Sequence, residues 1–375
     1  MEQYHEYLKH VLGRGGVTLN ERTGEHTIGI SSHAYTSDLR QEFPLVTTKN
    51  VPPRLPFEEL FWKLRGERNV KSLVDRNVPI WTANAFEGYL KRNQIIHLEK
   101  HTQDWNEGLA DYAEKIALKP EFAEKEGDLG PVYGYQWRHW RKPVFVQGSF
   151  QGNRWTPDAW KVKEVDQLEN LLRDIRQKPG SRYHILNSYN VGEKEDMALP
   201  PCPFHHQFTV YGDNLDLTMI QRSCDSFLGV PFNDAQDGLL LRMVAQETGL
   251  QPRFFHHHFI NAHIYLGIPP RANFWTDPKN VVEFQRKFNR VKERPEYMEL
   301  KDWYLVNSPR ESERNKRKDH IPFVLEQLSK EPKKSPVVTL VNIPMMEAIQ
   351  LPVGDVVKVE EYHPHKWDSK AEMAA

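Results

Sequence analysis

Cys202 and Cys224 are the only two cysteines in the 375 residues. Cys202 lies in ALPPCPFHHQF, at the start of an apparent strand and enclosed by Pro200, Pro201 and Pro203. Proline fixes φ and removes a backbone donor, so this thiol has an unusually stiff setting. A lone cysteine is more often a small buried hydrophobe, and Cys224 is read that way. Three arginines tilt the reading for Cys202. Arg22 in ERTG, Arg182 in GSR and Arg222 in QRS each occupy a short polar break beside an apolar strand. Convergent guanidinium forks suit a phosphate dianion, and nearby positive charge stabilises a thiolate. Taken singly, each arginine fits a surface salt bridge equally well.

Histidines 256 to 258, with His263, His205 and His206, raise the question of a metal. Adjacent histidines in a strand point to opposite faces, and there is neither a CxxC pair nor an HExxH helix. No metal is assigned. No Gly-rich turn follows a first strand, which argues against dinucleotide binding.

Lys and Arg number 50 against 51 Asp and Glu, for a formal charge of -1, which gives no support for general nucleic-acid binding. Mean hydropathy is -0.69, no run approaches a membrane span, and the N terminus has no apolar signal segment. With two cysteines, these features suggest a soluble protein of a reducing, intracellular compartment.

The elements that position these residues follow from periodicity. EQYHEYLKHVL reads as a helix with Tyr4, Leu8 and Leu12 on one face. A polar loop and then a strand follow around Gly24. Residues 55–64 and 70–76 read as helices, and 84–125 as a charged helical stretch. GDLGPVYGYQWRHW, at 127–140, suggests a rigid loop lining a pocket. A helix at 165–176 and strands at 183–189, 204–210 and 215–221 follow, the last two joined at Gly212-Asp213-Asn214. DAQDGLLLRMVAQET, at 234–248, reads as a long helix with acids in its first turn and Gly249 as its stop. A strand follows at 257–266. The run PRESERNKRKDH, at 309–320, is expected to face solvent. Strands at 337–341 and 356–362 return the chain to the core. There is no internal repeat.

Read together, YLKHVL, ERTGEHT, FPLVTTKN, EELFWKLRG, GDLGPVYGYQWRH, NSYNVGEKEDMALPPC, QRSCDSFLGVPFN, AHIY and, faintly, EEYHPH resemble the thymidylate synthase superfamily. That superfamily includes the thymidylate synthases and viral deoxynucleotide hydroxymethylases. The resemblance covers about two thirds of the chain, in the family's order. It implies an α/β (α+β) fold, a large mixed β-sheet flanked by helices, in one catalytic domain over 1–375 with an atypical insertion at about 290–350. It also implies a homodimer packed through the sheets, dUMP as substrate and 5,10-methylenetetrahydrofolate as cosubstrate.

By the same resemblance, Cys202 is the nucleophile that adds to C6 of the pyrimidine. Arg22, Arg182, Arg222 and Ser223 hold phosphate, with Arg182 reaching the partner subunit's site. Asn233 reads the pyrimidine edge, and His263 and Tyr265 hold the sugar hydroxyl. Glu59, Tyr133 and Gln207 are catalytic or water-organising. Asp225 faces the folate pterin, with Trp81, Phe259 and Ala375 also at the cofactor. An amide at Asn233 offers both donor and acceptor to uracil, which favours dUMP over dCMP, although Asp234 and Asp237 stand close by in sequence.

Departures from the synthase pattern point to a hydroxymethylase. Pro203 follows the nucleophile where the family has His, and Arg182-Tyr183 replaces a tandem arginine. HHHFINAH puts Phe259 and Ile260 where a small turn is usual, and the chain ends KAEMAA. A wetter cofactor site lets water compete with hydride for an exocyclic methylene on C5. Trp81 argues the other way, as an aromatic wall. The resemblance is therefore greatest to viral deoxyuridylate hydroxymethylases. Thymidylate synthase, a dCMP or CMP hydroxymethylase and a catalytically silent dimer that binds nucleotide or RNA are the alternatives. A cytoplasmic location is expected, the host's if the source is viral.

Overall fold

The computed structural model describes residues 1–21, 23–98, 100, 102–152, 154–311, 317–366 and 371. These divide into two compact units, one formed by residues 1–57 with the chain from 210 onward, the other by residues 58–209.

In the first unit, the helix Glu2–Arg14 buries Tyr4, Tyr7, Leu8, Val11 and Leu12, the face its spacing predicts. Its sheet is mixed. Gly16–Asn20 pairs antiparallel with Glu25–Asp38, and that strand pairs antiparallel with the long strand Gln251–Tyr265. Asn214–Gln221 and the short Cys224–Asp225 lie parallel to the long strand. The mixed sheet flanked by helices is the α/β architecture expected. Two strands differ from the reading of the sequence. Gly16–Asn20 falls where no strand was read, and the long strand begins six residues before position 257.

The helix Gly229–Thr248 is apolar on nearly every side and accordingly buried. It starts five residues before the acids taken as its first turn. Pro231 is tolerated there because first-turn N–H groups have no intrahelical partner. Just before the helix, Asp225 Oδ1 accepts the N–H groups of Phe227 and Leu228 at 3.0 Å. Gly249 ends the helix in the left-handed region, at φ 73°.

The segment 309–320 departs from the solvent-facing expectation. Residues 312–316 lie outside those described, but Lys318, Asp319 and His320 are buried. Asp319 accepts from the Tyr304 hydroxyl at 2.8 Å and from the Ile321 amide at 3.0 Å. Burial pushes its carboxyl up to about 7. The strands Val337–Leu340 and Val357–Glu360 form the expected late pair, antiparallel to each other.

The second unit holds the helices Thr82–Arg92, Gln103–Leu118 and Pro120–Glu126 around Phe86, Trp105, Tyr112 and Ile116. Gln167–Gln177 is capped by Asp166, which accepts from the Glu169 amide. Ile185–Asn187 pairs antiparallel with Pro203–Tyr211. A hairpin unforeseen in the sequence, Trp140–Val146 against Ala159–Val165, exposes Phe145, Trp160 and Val162.

Candidate active site

Within the second unit, the helix Arg54–Leu64 carries Glu59 and Lys63 four residues apart, so both project from one face. Their side chains meet at 3.2 Å with both residues buried. The Trp81 indole donates to Glu59 Oε1 at 2.8 Å. The Trp81 ring meets Tyr133 edge-on at 5.4 Å, and the Lys63 ammonium stands 4.3 Å from the centre of the Tyr133 ring.

Tyr133 closes this cluster onto the cysteine. Its hydroxyl accepts the Cys202 backbone N–H at 2.9 Å. Tyr133 has φ 37°, costly for a side chain of its size, and backbone strain of this kind gathers at functional loops. The next residue must be glycine, because a Cβ on Gly134 would lie 1.8 Å from the Lys63 carbonyl oxygen. The loop read as pocket-lining is therefore locked against the helix that holds Glu59. Cys202 is partly exposed, whereas Cys224 is fully buried with its Sγ toward the carbonyls of Gln221 and Ile260. Lys63 was missed in the sequence, although its spacing from Glu59 on a predicted helix was the available signal.

Gln207 and Arg182 are also brought together in this unit. Gln207 stands opposite Ile185, and its side-chain amide donates to the Arg182 carbonyl at 3.3 Å. Arg182 is exposed, as is Tyr183 beside it.

The first unit gathers the remaining candidates around the start of its buried helix. Asp225 and Asn233 flank Gly229, where an added Cβ would meet Asp225 Cβ at 3.4 Å and Asn233 Oδ1 at 3.8 Å. Asp225 Oδ1 holds the turn that leads into the helix, and Oδ2 has no hydrogen bond among the described residues. His263 and Tyr265 sit edge to face, 5.2 Å apart, on the long strand. The His263 carbonyl accepts the Ser226 N–H, and His263 Nδ1 meets the Asn261 carbonyl at 2.8 Å. Arg222 and Ser223 fall in the turn between Asn214–Gln221 and Cys224–Asp225.

Asp234 is not a rival to Asn233. Its carboxylate is buried and committed to the Tyr35 hydroxyl and to His257. Phe259, taken as a cofactor contact, belongs instead to the core. It has no exposed surface and stacks on Tyr7 at 4.4 Å and His257 at 3.6 Å. A ring enclosed on both faces presents no surface to a ligand; each such stacked pair contributes about 0.5–1.5 kcal/mol beyond burial. Arg22 and Ala375 lie outside the described residues.

A cavity of about 660 Å³ in the first unit is lined by Lys49, Phe227, Leu228, Phe232, His365 and Lys366, among others. Residues 362–365 are tied to the segment 46–51 beside it. The Tyr362 hydroxyl donates to Val46 and accepts from the Val51 amide, and the His365 amide donates to Thr47. Lys49 is buried with its ammonium over the Phe227 ring at 3.9 Å, donating to the Phe227 carbonyl. Apolar rings beside the buried Lys49 ammonium suit a flat ligand carrying carboxylates. Lys49 sits in a loop with no periodicity, so nothing beyond its motif marked it in the sequence.

Among the described residues, no helix is long and apolar enough to cross a membrane. The family model for thymidylate synthase matches residues 2–375. A thymidylate synthase of Mesoplasma florum is 38% identical over 267 residues, covering 71% of this chain and 82% of the relative. One from Mycoplasma genitalium is 38% identical over 265 residues, covering 71% and 81%.

Proposed function

The chain belongs to the thymidylate synthase family of folate-dependent one-carbon transferases, and on that premise we propose that it converts dUMP to 5-hydroxymethyl-dUMP. The observation that carries the chemistry is the hydrogen bond from the Cys202 amide to Tyr133, whose ring packs on the Trp81–Glu59–Lys63 cluster. In this reading the Cys202 thiolate adds to C6 of the pyrimidine, which makes C5 nucleophilic. Bound 5,10-methylenetetrahydrofolate supplies the one-carbon unit. Glu59, oriented by the Trp81 indole and the Lys63 ammonium, moves protons through water. Arg22, Arg182, Arg222 and Ser223 hold the phosphate, Asn233 reads the uracil edge, and His263 and Tyr265 take the sugar hydroxyl. Gln207 organises water, while the open Oδ2 of Asp225 faces the pterin. The protein is a cytoplasmic homodimer packed through its sheets, with Arg182 serving the partner's site.

Pro203 favours water over hydride as the final reactant. It is buried, directly follows Cys202, and has no N–H with which to order the groups near C5. A thymidylate synthase reading draws on Trp81, an aromatic wall that keeps water away, and on the names of the relatives. Incubation with C5-tritiated dUMP separates them. Tritium release without dihydrofolate formation is expected; equal amounts of both would favour methylation.

In this reading Lys49 answers the folate's carboxylates. Burial pushes Lys49 down from 10.5 to about 7, with Asp225 acting in the opposite direction. An anionic ligand favours the ammonium, so binding takes up a proton. Affinity for tetrahydrofolate is expected to fall by up to about ten-fold per pH unit above pH 7, a slope lost in Lys49→Met. Calorimetry in buffers of different ionisation enthalpy reads that proton; a flat wild-type profile contradicts it. The sign for stability follows separately. The folded state binds fewer protons than the unfolded one between about 7 and 10.5, so this group's contribution rises with pH across that window.

A further inference from the structure

A chain of four buried side chains joins four elements of the first unit. The Tyr35 hydroxyl donates to Asp234 Oδ2, and Asp234 Oδ1 lies 2.7 Å from His257 Nδ1. His257 Nε2 lies 3.0 Å from Gln221 Oε1, and Gln221 Nε2 donates to the Ser223 carbonyl at 3.0 Å. His257 has no exposed surface, Gln221 is 2% exposed and Asp234 3%.

The hydrogen-bond directions are determined from one end. A backbone carbonyl only accepts, so the Gln221 amide nitrogen faces Ser223 and its oxygen faces His257. His257 Nε2 therefore carries a proton, and one further proton lies between Nδ1 and Asp234. The pair is neutral overall and both its partners are specified. An apolar set of equal volume would fill this part of the core at no desolvation cost. What the polar chain adds is a link between defined points. One end grips the residue next to Asn233, and the other holds the backbone of the turn carrying Arg222 and Ser223.

Resting on the functional reading above, we propose that Tyr35, Asp234, His257 and Gln221 are positioning residues of the nucleotide site. They hold the base-reading amide and the phosphate turn at a fixed separation from one buried node. None of them needs to touch the nucleotide. The stack of His257 on Phe259 and of Phe259 on Tyr7 fixes the imidazole plane. Tyr7 in turn bonds the Ser226 hydroxyl at 2.6 Å, beside Asp225.

The test is equilibrium binding of dUMP and of deoxyuridine to the full chain, with folding checked by thermal denaturation. His257→Phe keeps the ring stack and loses both hydrogen bonds; its dUMP Kd is expected to rise by about ten-fold or more. Gln221→Met leaves the Asp234–His257 pair in place and removes both the link to the turn and the acceptor of His257 Nε2. It should weaken dUMP about ten-fold while changing deoxyuridine by less than about three-fold, because only the phosphate contribution is lost. Asp234→Asn can still accept from Tyr35 and donate to His257, and should keep dUMP affinity within about three-fold of wild type. A role in stability alone would weaken both ligands in parallel with the fall in Tm. Folded Gln221→Met that binds dUMP as wild type does, or equal losses for the two ligands, would overturn the proposal. The functional reading fails separately, if wild-type protein binds dUMP yet releases no tritium from its C5; the affinities still report on the node.

Discussion

Replacing Cys202 by alanine is expected to lower tritium release from C5 of dUMP by roughly 10⁴-fold or more, while dUMP binding changes little. The size of the loss follows from the chemistry assigned to the sulfur. C5 of uracil is a poor nucleophile until C6 carries an added group, so later proton and one-carbon steps have no substrate without the thiolate. Cys224 cannot take over, being fully buried with its Sγ directed at two backbone carbonyls. Binding should survive because the groups assigned to phosphate, base and sugar are elsewhere in the chain. Serine at position 202 should be nearly as inactive, since a hydroxyl is far less acidic than a thiol and stays protonated at neutral pH. Turnover close to wild type in Cys202→Ala would remove the nucleophile assignment, and a silent nucleotide binder would show no C5 exchange in either protein.

The second large effect is on folding. Gly134→Ala places a methyl group 1.8 Å from the Lys63 carbonyl oxygen and 2.3 Å from that residue's carbonyl carbon and Cα. All three are backbone atoms of a buried helix, so no flexible side chain can yield. The loop must retreat by roughly 1 Å or more, at a cost of about 3 kcal/mol, near the top of the range for overpacking. Tyr133 precedes the glycine and moves with it, weakening its hydrogen bond to Cys202 and its contacts with Trp81 and Lys63. Both stability in denaturant and kcat should fall. Gly180→Ala is the control, because nothing lies within 4 Å of the added carbon. Its stability should stay within about 0.5 kcal/mol of wild type. Similar denaturation midpoints for the two variants would show that the Lys63–Gly134 contact does not hold the loop.

Much of this was readable in the chain. Helical spacing found Glu2–Arg14 and Arg54–Leu64, and Gly249 marked the end of the buried helix, because these signals are local. The start of that helix was misplaced because Asp234 and Asp237 look like first-turn acids. They are buried, and Asp234 answers Tyr35 and His257, which are distant in sequence. Period-two alternation put adjacent histidines on opposite faces but did not say that His257 is the buried one or name its partner. The same limit applies to 309–320, whose charges read as solvated. Asp319 is buried because Tyr304 and the Ile321 amide satisfy it, and only tertiary structure supplies the tyrosine. Phe259 was misread for the opposite reason. Its bulk suggested an obstruction at the cofactor, whereas the stack of Tyr7, Phe259 and His257 consumes it. The hairpin Trp140–Val146 with Ala159–Val165 lacked a clean pattern. It carries apolar residues on an exposed face and a proline at position 143.

The most direct test of the account is the mass of the nucleotide formed from dUMP and 5,10-methylenetetrahydrofolate, with the folate product followed in the same reaction. The expected product is dUMP plus one CH₂O unit, with tetrahydrofolate released. Addition of one CH₂ unit with dihydrofolate formed would contradict it and make the product thymidylate.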